Sequence, residues 1–261
     1  VATLQLQDKV ALVTGAGTGI GKGIAVALAK RGASVIVHYN ASQSGAQDTL
    51  DQIVALGAKA VIYQADVAIK QQITDMVDFA ISHFGKIDIL VNNAAAQTNM
   101  SLMEYDDAAY EQVMGVNLKG YFLCTQAVVP SMKNQGGGRI INVSSVHGKR
   151  PTDFDVVYAM TKGGIKMLTR ESAVELAKYH ITVNTIEPGA VHIGTKSGNP
   201  KSIMPAERVT DEHRRRSLRK FPLGRSGLPS DIGHLTCFLA SKESEWITGA
   251  AIRADGGSML L

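Results

Sequence analysis

Short runs of Val, Ile, Leu and Ala alternate along this chain with longer stretches in which apolar residues recur every three or four positions. The runs KVALVTG (9–15), SVIVHY (34–39), KAVIYQAD (59–66), IDILVNN (87–93), GGGRIINVSS (136–145), ITVNTIEPG (181–189) and AAIRADGG (250–257) predict strands. The stretches between them predict helices over 19–32, 42–57, 70–85, 106–133, 154–179, 205–220 and 229–241. Near-continuous apolar strands are buried on both faces, which requires helices above and below a parallel sheet. The expected fold is therefore α/β, a three-layer doubly wound Rossmann fold with a seven-stranded parallel sheet, built as one domain over 1–261. The rhythm breaks only at 190–225, which is rich in Gly, Pro, Ser and charge and is expected to cover the site as a lid.

Composition narrows the class. Of 261 residues, 45% are hydrophobic and 19% charged, enough for a large core and against disorder. The net charge of +4 is too small and too scattered to argue for a nucleic-acid partner, and a small-molecule substrate is expected. No apolar run reaches spanning length, so no membrane partner is expected. The opening VATLQLQDKV lacks a basic-then-apolar leader pattern, and a cytoplasmic location is the expectation. Cys124 and Cys237 stand far apart in apolar contexts, reading as buried thiols; neither belongs to a Cys/His cluster, and no metal site is expected.

The turn after the first strand is TGAGTGIGKG (14–23), with glycines at Gly15, Gly19 and Gly21. A chain that turns sharply from strand to helix beside a pyrophosphate needs glycine there, and the helix start offers amide groups and a positive dipole end. The second strand ends His38-Tyr39-Asn40-Ala41-Ser42. A carboxylate at that end would bind the free ribose hydroxyls of NAD(H). None is present, and Asn40 and Ser42 can donate to a 2′-phosphate, so NADP(H) is preferred and NAD(H) stays open.

The stretch SSVHGKRPTDFDVVYAMTK (144–162) ends in Tyr158 and Lys162, one helical turn apart. If strand 136–145 is parallel to the first, this stretch meets the glycine turn at one sheet edge. An ammonium beside a phenol lowers the phenol's pKa from about 10 and makes it a usable acid or base. A serine hydroxyl nearby can hold a substrate oxygen. The spacing alone also fits a solvated helix face.

Taken together, these motifs resemble the short-chain dehydrogenase/reductase family over nearly the whole chain. TGAGTGIG (14–21) is similar to its cofactor loop, Asp66-Val67 to its adenine-contacting pair, and NNAA (92–95) to its NNAG motif with alanine for glycine at Ala95. VNLKGYF (116–122) carries its relay asparagine, SSV…YAMTK its Ser–Tyr–Lys set, NTIEPG (184–189) its Pro-Gly turn, and ITG…ADGG (247–257) its terminal strand. The resemblance implies Tyr158 as acid/base, Lys162 as its partner and ribose ligand, Ser145 rather than Ser144 as the substrate-positioning serine, and Asn117 as the holder of a relay water. It implies a cofactor site of Gly15, Thr18, Gly19, Ile20, Gly21, Tyr39, Asn40, Ser42, Asp66, Val67, Asn93, Ala94, Tyr158, Lys162, Pro188, Gly189, Val191 and Thr195. Thr195 stands two residues later than the family's threonine. The resemblance also implies a homotetramer assembled through the two long helices and the terminal strand.

SSVHGKRP further resembles the SSVH-x-K-x-P stretch of bacterial glucose 1-dehydrogenases, which implies a substrate site of Ser145, His147 and Tyr158. His147 has two readings, a sugar contact or packing within its own loop. Three features depart from the glucose enzymes: Ala96, Gln97 and Thr98 replace a glutamate, Asp153 and Asp155 add carboxylates near the pocket mouth, and 190–225 is longer. The expected function is an alcohol–carbonyl oxidoreductase acting on a sugar or polyol, either sugar 1-dehydrogenase-like or a keto-sugar reductase. Reduction of a 3-oxoacyl thioester or another ketone is the alternative, favoured by the basic run EHRRRSLRK (212–220), which also reads as a solvated lid face. A nucleotide-sensing protein without chemistry would have lost Ser145, Tyr158 or Lys162. Glu187 is read as a contact to polar substrate or lid groups or as pointing away, and His180 as a left-handed helix terminus.

Overall fold

The structure is a computed structural model that describes residues 5–151, 155–193, 219 and 221–261. Thr195, Asp153, the expected lid helix at 205–220 and the basic run around it, Arg219 apart, lie outside those residues.

The strands are β1 (Val10–Val13), β2 (Ser34–Tyr39), β3 (Ala60–Gln64), β4 (Ile89–Asn92), β5 (Gly138–Val143), β6 (Ile181–Pro188) and β7 (Ala251–Ala254). They form a seven-stranded sheet in the order β3-β2-β1-β4-β5-β6-β7, and every pairing is parallel. The helices are α1 (Gly19–Lys30), α2 (Gln43–Ala55), α3 (Lys70–Phe84), α4 (Asp107–Met114), α5 (Gly120–Asn134), α6 (Val156–Leu176) and α7 (Pro229–Ala240).

Alternate strand residues feed two cores. Ala11, Val13, Val35 and Val37 pack with Ile24 and Leu28 of α1, Ile53 of α2 and Ile232 of α7. Val10, Leu12 and Ile36 pack with Ile73 and Met76 of α3, Leu123 and Val128 of α5 and Ala173 of α6. Each face is sealed, as the unbroken apolar strands require. The strand order changes direction between β1 and β4, and the crevice beyond the carboxyl ends at that point is where open α/β sheets take ligands.

The single helix expected over 106–133 is interrupted. A π-helical turn, Gly115–Lys119, separates α4 from α5. Gly120 there sits so close to β3's exit that an added Cβ would lie 2.9 Å from the Val67 carbonyl oxygen. The wider turn carries Asn117 to a fully buried position. A buried polar chain fastens α6 to the sheet: Asn92 donates to Asn142 at 2.9 Å, Asn142 to Thr169 at 2.9 Å, and Thr169 shares a 2.6 Å bond with Thr185. After α6 a short 3-10 turn ends at His180, whose φ of 58° is the left-handed terminus expected there. Cys124 and Cys237 are buried free thiols. Among the described residues no helix is long and apolar enough to cross a membrane.

Candidate active site

The first half of the site is made by the turn after β1. Gly15 has a φ of +64°, and Gly21 of α1 lies against it: a Cβ on Gly21 would be 2.2 Å from the Gly15 carbonyl oxygen. A side chain at either position would break the turn. Thr14 stitches the turn to the end of β4, its hydroxyl accepting from the amides of Asn93 (2.9 Å) and Ala94 (3.0 Å). The Asn93 side chain returns the favour to the carbonyls of Thr14 (2.9 Å) and Gly15 (3.2 Å).

His38 had no role in the sequence reading beyond its place on β2. Its Nδ1 accepts from the Gly15 amide at 3.0 Å, which leaves the proton on Nε2, 2.9 Å from the Ala65 carbonyl. Burial holds the ring below the usual histidine range, which keeps this neutral form.

From this turn a cleft of about 420 Å³ runs along the sheet edge. Its wall includes Gly15, Thr18, Gly19, Ile20, Gly21, Tyr39, Asn40, Ser42, Asp66, Val67, Asn93, Ala94, Tyr158 and Lys162. Pro188, Gly189 and Val191 are not on that wall. Gly189 bonds Ala254 at 3.1 Å, Val191 bridges to Gly227, and Ile193 lines the cleft instead. The fit to a dinucleotide rests on two uncapped helix starts. Neither Thr18 at the head of α1 nor Ser42 at the head of α2 uses its side chain as a cap, so both helix ends can turn donors toward phosphate.

The second half lies at the ends of β5 and α6. Ser144 is spent on structure, its hydroxyl donating to the Lys162 carbonyl at 2.7 Å. Ser145 caps a 3-10 turn (Val146–Gly148), accepting from the His147 amide at 3.2 Å, and its hydroxyl lies close enough to the Tyr158 phenol to favour its ionised form. Lys162 is fully buried; its Nζ donates to the Val143 carbonyl at 3.0 Å and lies 5.3 Å from the centre of the Tyr158 ring. Burial lowers this lysine from 10.5 to about 7. Burial raises the Tyr158 phenol, a rise the nearby Ser145 hydroxyl opposes. In this structure desolvation favours the neutral form of both groups.

Asn117 exchanges two hydrogen bonds with the backbone of Ala96 (2.7 and 2.9 Å) and donates to Thr161 at 3.3 Å. Its amide thus fixes the turn after β4 against α6. The His147 ring meets the Tyr158 ring edge-on, with centroids 6.4 Å apart, and burial holds it below the usual histidine range.

Two carboxylates have partners within the protein. Glu187, 2% exposed, faces Lys166 of α6 at 2.8 Å in an ion pair. Asp155, expected near the pocket mouth, is buried and turned toward the 98–105 loop rather than outward.

A doubly wound parallel sheet, a glycine turn opening a long cleft, and a Ser–Tyr–Lys cluster at its end define a nicotinamide-dependent oxidoreductase that interconverts an alcohol and a carbonyl. Comparison with known proteins agrees. The sequence profile of the enoyl-(acyl carrier protein) reductases matches residues 15–259. A hydroxynaphthalene reductase-like protein of Metarhizium majus is 38% identical over 97% of this chain and 96% of its own length. A 3-oxoacyl-[acyl-carrier-protein] reductase of Staphylococcus epidermidis is 36% identical over 96% of this chain and 98% of its own. The crystal structure of a 7α-hydroxysteroid dehydrogenase complexed with NADH and 7-oxo glycochenodeoxycholic acid superposes with a TM-score of 0.87, at 33% identity, covering 98% of this chain and 96% of that one. The chain belongs to the short-chain dehydrogenase/reductase family, whose cofactors are NAD(H) and NADP(H).

Proposed function

We propose that this protein is an NADP(H)-dependent reductase that converts a ketone to a secondary alcohol, with the reverse oxidation run at the same site. The carrying observation is the grouping of Tyr158 and Lys162 at the inner end of the glycine-floored cleft, the Lys162 amine 5.3 Å from the phenol ring, with the Ser145 hydroxyl close enough to act on the phenol. The reduced nicotinamide, when bound, supplies the hydride. Ser145 holds the carbonyl oxygen, and Tyr158 donates its phenolic proton to that oxygen as the carbonyl carbon is reduced. Lys162 stabilises the phenolate left behind and binds ribose hydroxyls. Asn117 holds the segment through which the phenol is reprotonated.

The residues along the cleft wall from Gly15 to Ala94 hold the dinucleotide. NADP(H) is favoured because β2 ends in exposed Asn40 and in Ser42 without a carboxylate, and α2 presents its N-terminus there. The nicotinamide end is assigned to Pro188, Gly189 and Val191, the segment leading to cleft-lining Ile193, as the family resemblance implies.

The ketone reading is supported by the relatives, a hydroxynaphthalene reductase-like protein and a 3-oxoacyl reductase, and by a structural neighbour in complex with a 7-oxo compound. One observation favours a sugar or polyol instead: neutral, half-buried His147 beside Tyr158 can donate to or accept from a hydroxyl. The same fold serves as a homotetramer in the cytoplasm in this proposal. Met160, Met167 and Val174 form an exposed apolar stripe along α6, with Phe122 exposed on α5, which supports assembly of copies through these helices. The buried free thiols suit a reducing compartment. The test is an absorbance screen of both cofactors against aromatic and aliphatic ketones, a 3-oxoacyl thioester, keto-sugars, aldoses and polyols. Turnover of ketones with NADPH supports the proposal; turnover of aldoses or polyols alone overturns it.

A further inference from the structure

Asp155 stands at the N-cap of α6, three residues before Tyr158, and is 3% exposed. A carboxylate so buried needs partners. It has four donors: the Tyr158 amide at 2.9 Å and the Tyr105 hydroxyl on Oδ1, and on Oδ2 the amides of Thr98 and Asn99, both at 3.1 Å. An ionised carboxylate has about four lone-pair positions, so none is left for a substrate hydroxyl. The donors come from two segments. One is the first turn of α6, which carries Tyr158. The other is the 98–105 loop, which continues from the Ala94–Ala96 wall of the cleft. The loop is further tied to itself by a 2.6 Å bond between Thr98 and Tyr105, and Asn99 is held at a φ of 58°, an unusual conformation for a residue with a side chain.

We propose that Asp155 is a positioning residue for the reaction: its carboxylate clasps the 98–105 loop to the first turn of α6 and so fixes the Tyr158 phenol relative to the pocket wall opposite it. The inference rests on the assignment of Tyr158 as the acid. A helix cap alone would need only the bond to the Tyr158 amide. The bonds to Thr98, Asn99 and Tyr105 bring in a chain segment some fifty residues away in sequence, the Tyr105 partner being separated by 50 positions. A uniform binding role would alter KM; fixing the proton donor alters kcat.

The charge has a separate consequence. The titratable groups facing the phenol are Lys162 from its own helix, Tyr121 from α5, His147 from the 3-10 turn and Asp155 from the cap, with Tyr105 beyond Asp155. Asp155 is the anion among them, and its field raises the phenol. Removing that charge should let the phenol ionise at lower pH.

Asp155→Asn separates these effects from capping. Its remaining carbonyl oxygen still accepts from the Tyr158 amide, but an NH2 group cannot accept from Thr98 and Asn99. Tyr105→Phe removes one donor while leaving charge and cap in place. For both variants and the wild type, kcat, KM, the pH profile of kcat, and NADPH affinity by fluorescence would be measured. The expected results for Asp155→Asn are a fall in kcat of about tenfold or more, an NADPH affinity within about twofold of wild type, and a shift of the phenol's limb of the profile to lower pH. For Tyr105→Phe a smaller fall in kcat with an unshifted limb is expected. Wild-type kcat and an unshifted profile in Asp155→Asn would overturn the proposal, as would losses confined to KM. If Asp155→Asn fails to fold, Tyr105→Phe decides, and wild-type kcat in that variant overturns the clasp. Tyr158→Phe, run alongside, separates the two ideas: an active Tyr158→Phe removes the acid assignment itself, whereas an inactive one with a wild-type-like Asp155→Asn removes only the clasp.

Discussion

Replacing Lys162 with methionine is expected to make the folded protein more stable while ending turnover. The lysine is fully buried, and burial brings it from 10.5 to about 7. At neutral pH that gap corresponds to roughly 4–5 kcal/mol of cost for keeping a protonatable amine in place. Against this stands the hydrogen bond from Nζ to the Val143 carbonyl, 3.0 Å long and worth about 1 kcal/mol. The Val143 oxygen keeps a second donor, the Tyr121 hydroxyl at 3.0 Å, so the methionine leaves no orphaned acceptor. Methionine has similar length and no charge, and a net gain on the order of 3 kcal/mol is expected. The pH dependence carries the sign. The unfolded lysine binds its proton more tightly than the folded one, so wild-type stability climbs as pH rises from about 7 toward 10.5, and the advantage of the variant shrinks over that window. The assay is urea unfolding followed by far-ultraviolet circular dichroism across that range. Fluorescence is a poor reporter, because Trp246, the single tryptophan, is 96% exposed. A variant less stable than wild type at neutral pH, or an offset that does not change with pH, would refute the reasoning.

Two further substitutions probe the cofactor end. His38→Leu removes the acceptor of the Gly15 amide and leaves a buried N–H without a partner, a penalty of about 1–3 kcal/mol; NADPH affinity by fluorescence titration should fall about tenfold or more, and an unchanged affinity would show that His38 does not hold the turn. Because the folded ring lies below its ordinary 6.5, wild-type stability should be complete above that pH and decline as pH falls beneath it, a decline that His38→Leu should lack in paired unfolding curves. Asn40→Asp places a carboxylate where a 2′-phosphate would lie, and kcat/KM with NADPH should drop roughly tenfold to a hundredfold while that with NADH holds or rises; equal effects on both cofactors would remove the proposed basis of preference.

Regular elements were legible in the sequence because each is a local pattern. The strand expected at 34–39 is observed as Ser34–Tyr39, and the alternation of apolar runs with helical spacing implies the parallel sheet directly. The break between α4 and α5 was not legible. A π turn inserts a single extra residue, and the close approach of Gly120 to Val67 beside it is a contact between distant segments that no local pattern shows. The same holds at the site. Glycines in a turn, and a tyrosine four residues before a lysine, are sequence-local. The ring of His38 acts on Gly15 and Ala65, and Asp155 acts on Thr98, Asn99 and Tyr105, partners that no local pattern reveals. Asp155 read as a carboxylate near the pocket mouth for that reason. The direction of the pKa shifts was also hidden, since it depends on burial: a tyrosine–lysine pair suggests a lowered phenol, while desolvation here lowers Lys162 and raises Tyr158.

The central proposal is that Tyr158 delivers the proton in an NADP(H)-linked carbonyl reduction. Tyr158→Phe removes one oxygen atom from a half-buried ring and leaves the glycine turn untouched. With a ketone identified by the cofactor screen, kcat of this variant and its NADPH affinity would be measured together. The expected result is a loss of kcat of about a hundredfold to ten-thousandfold with an affinity close to wild type. A variant that keeps most of its turnover would contradict the assignment.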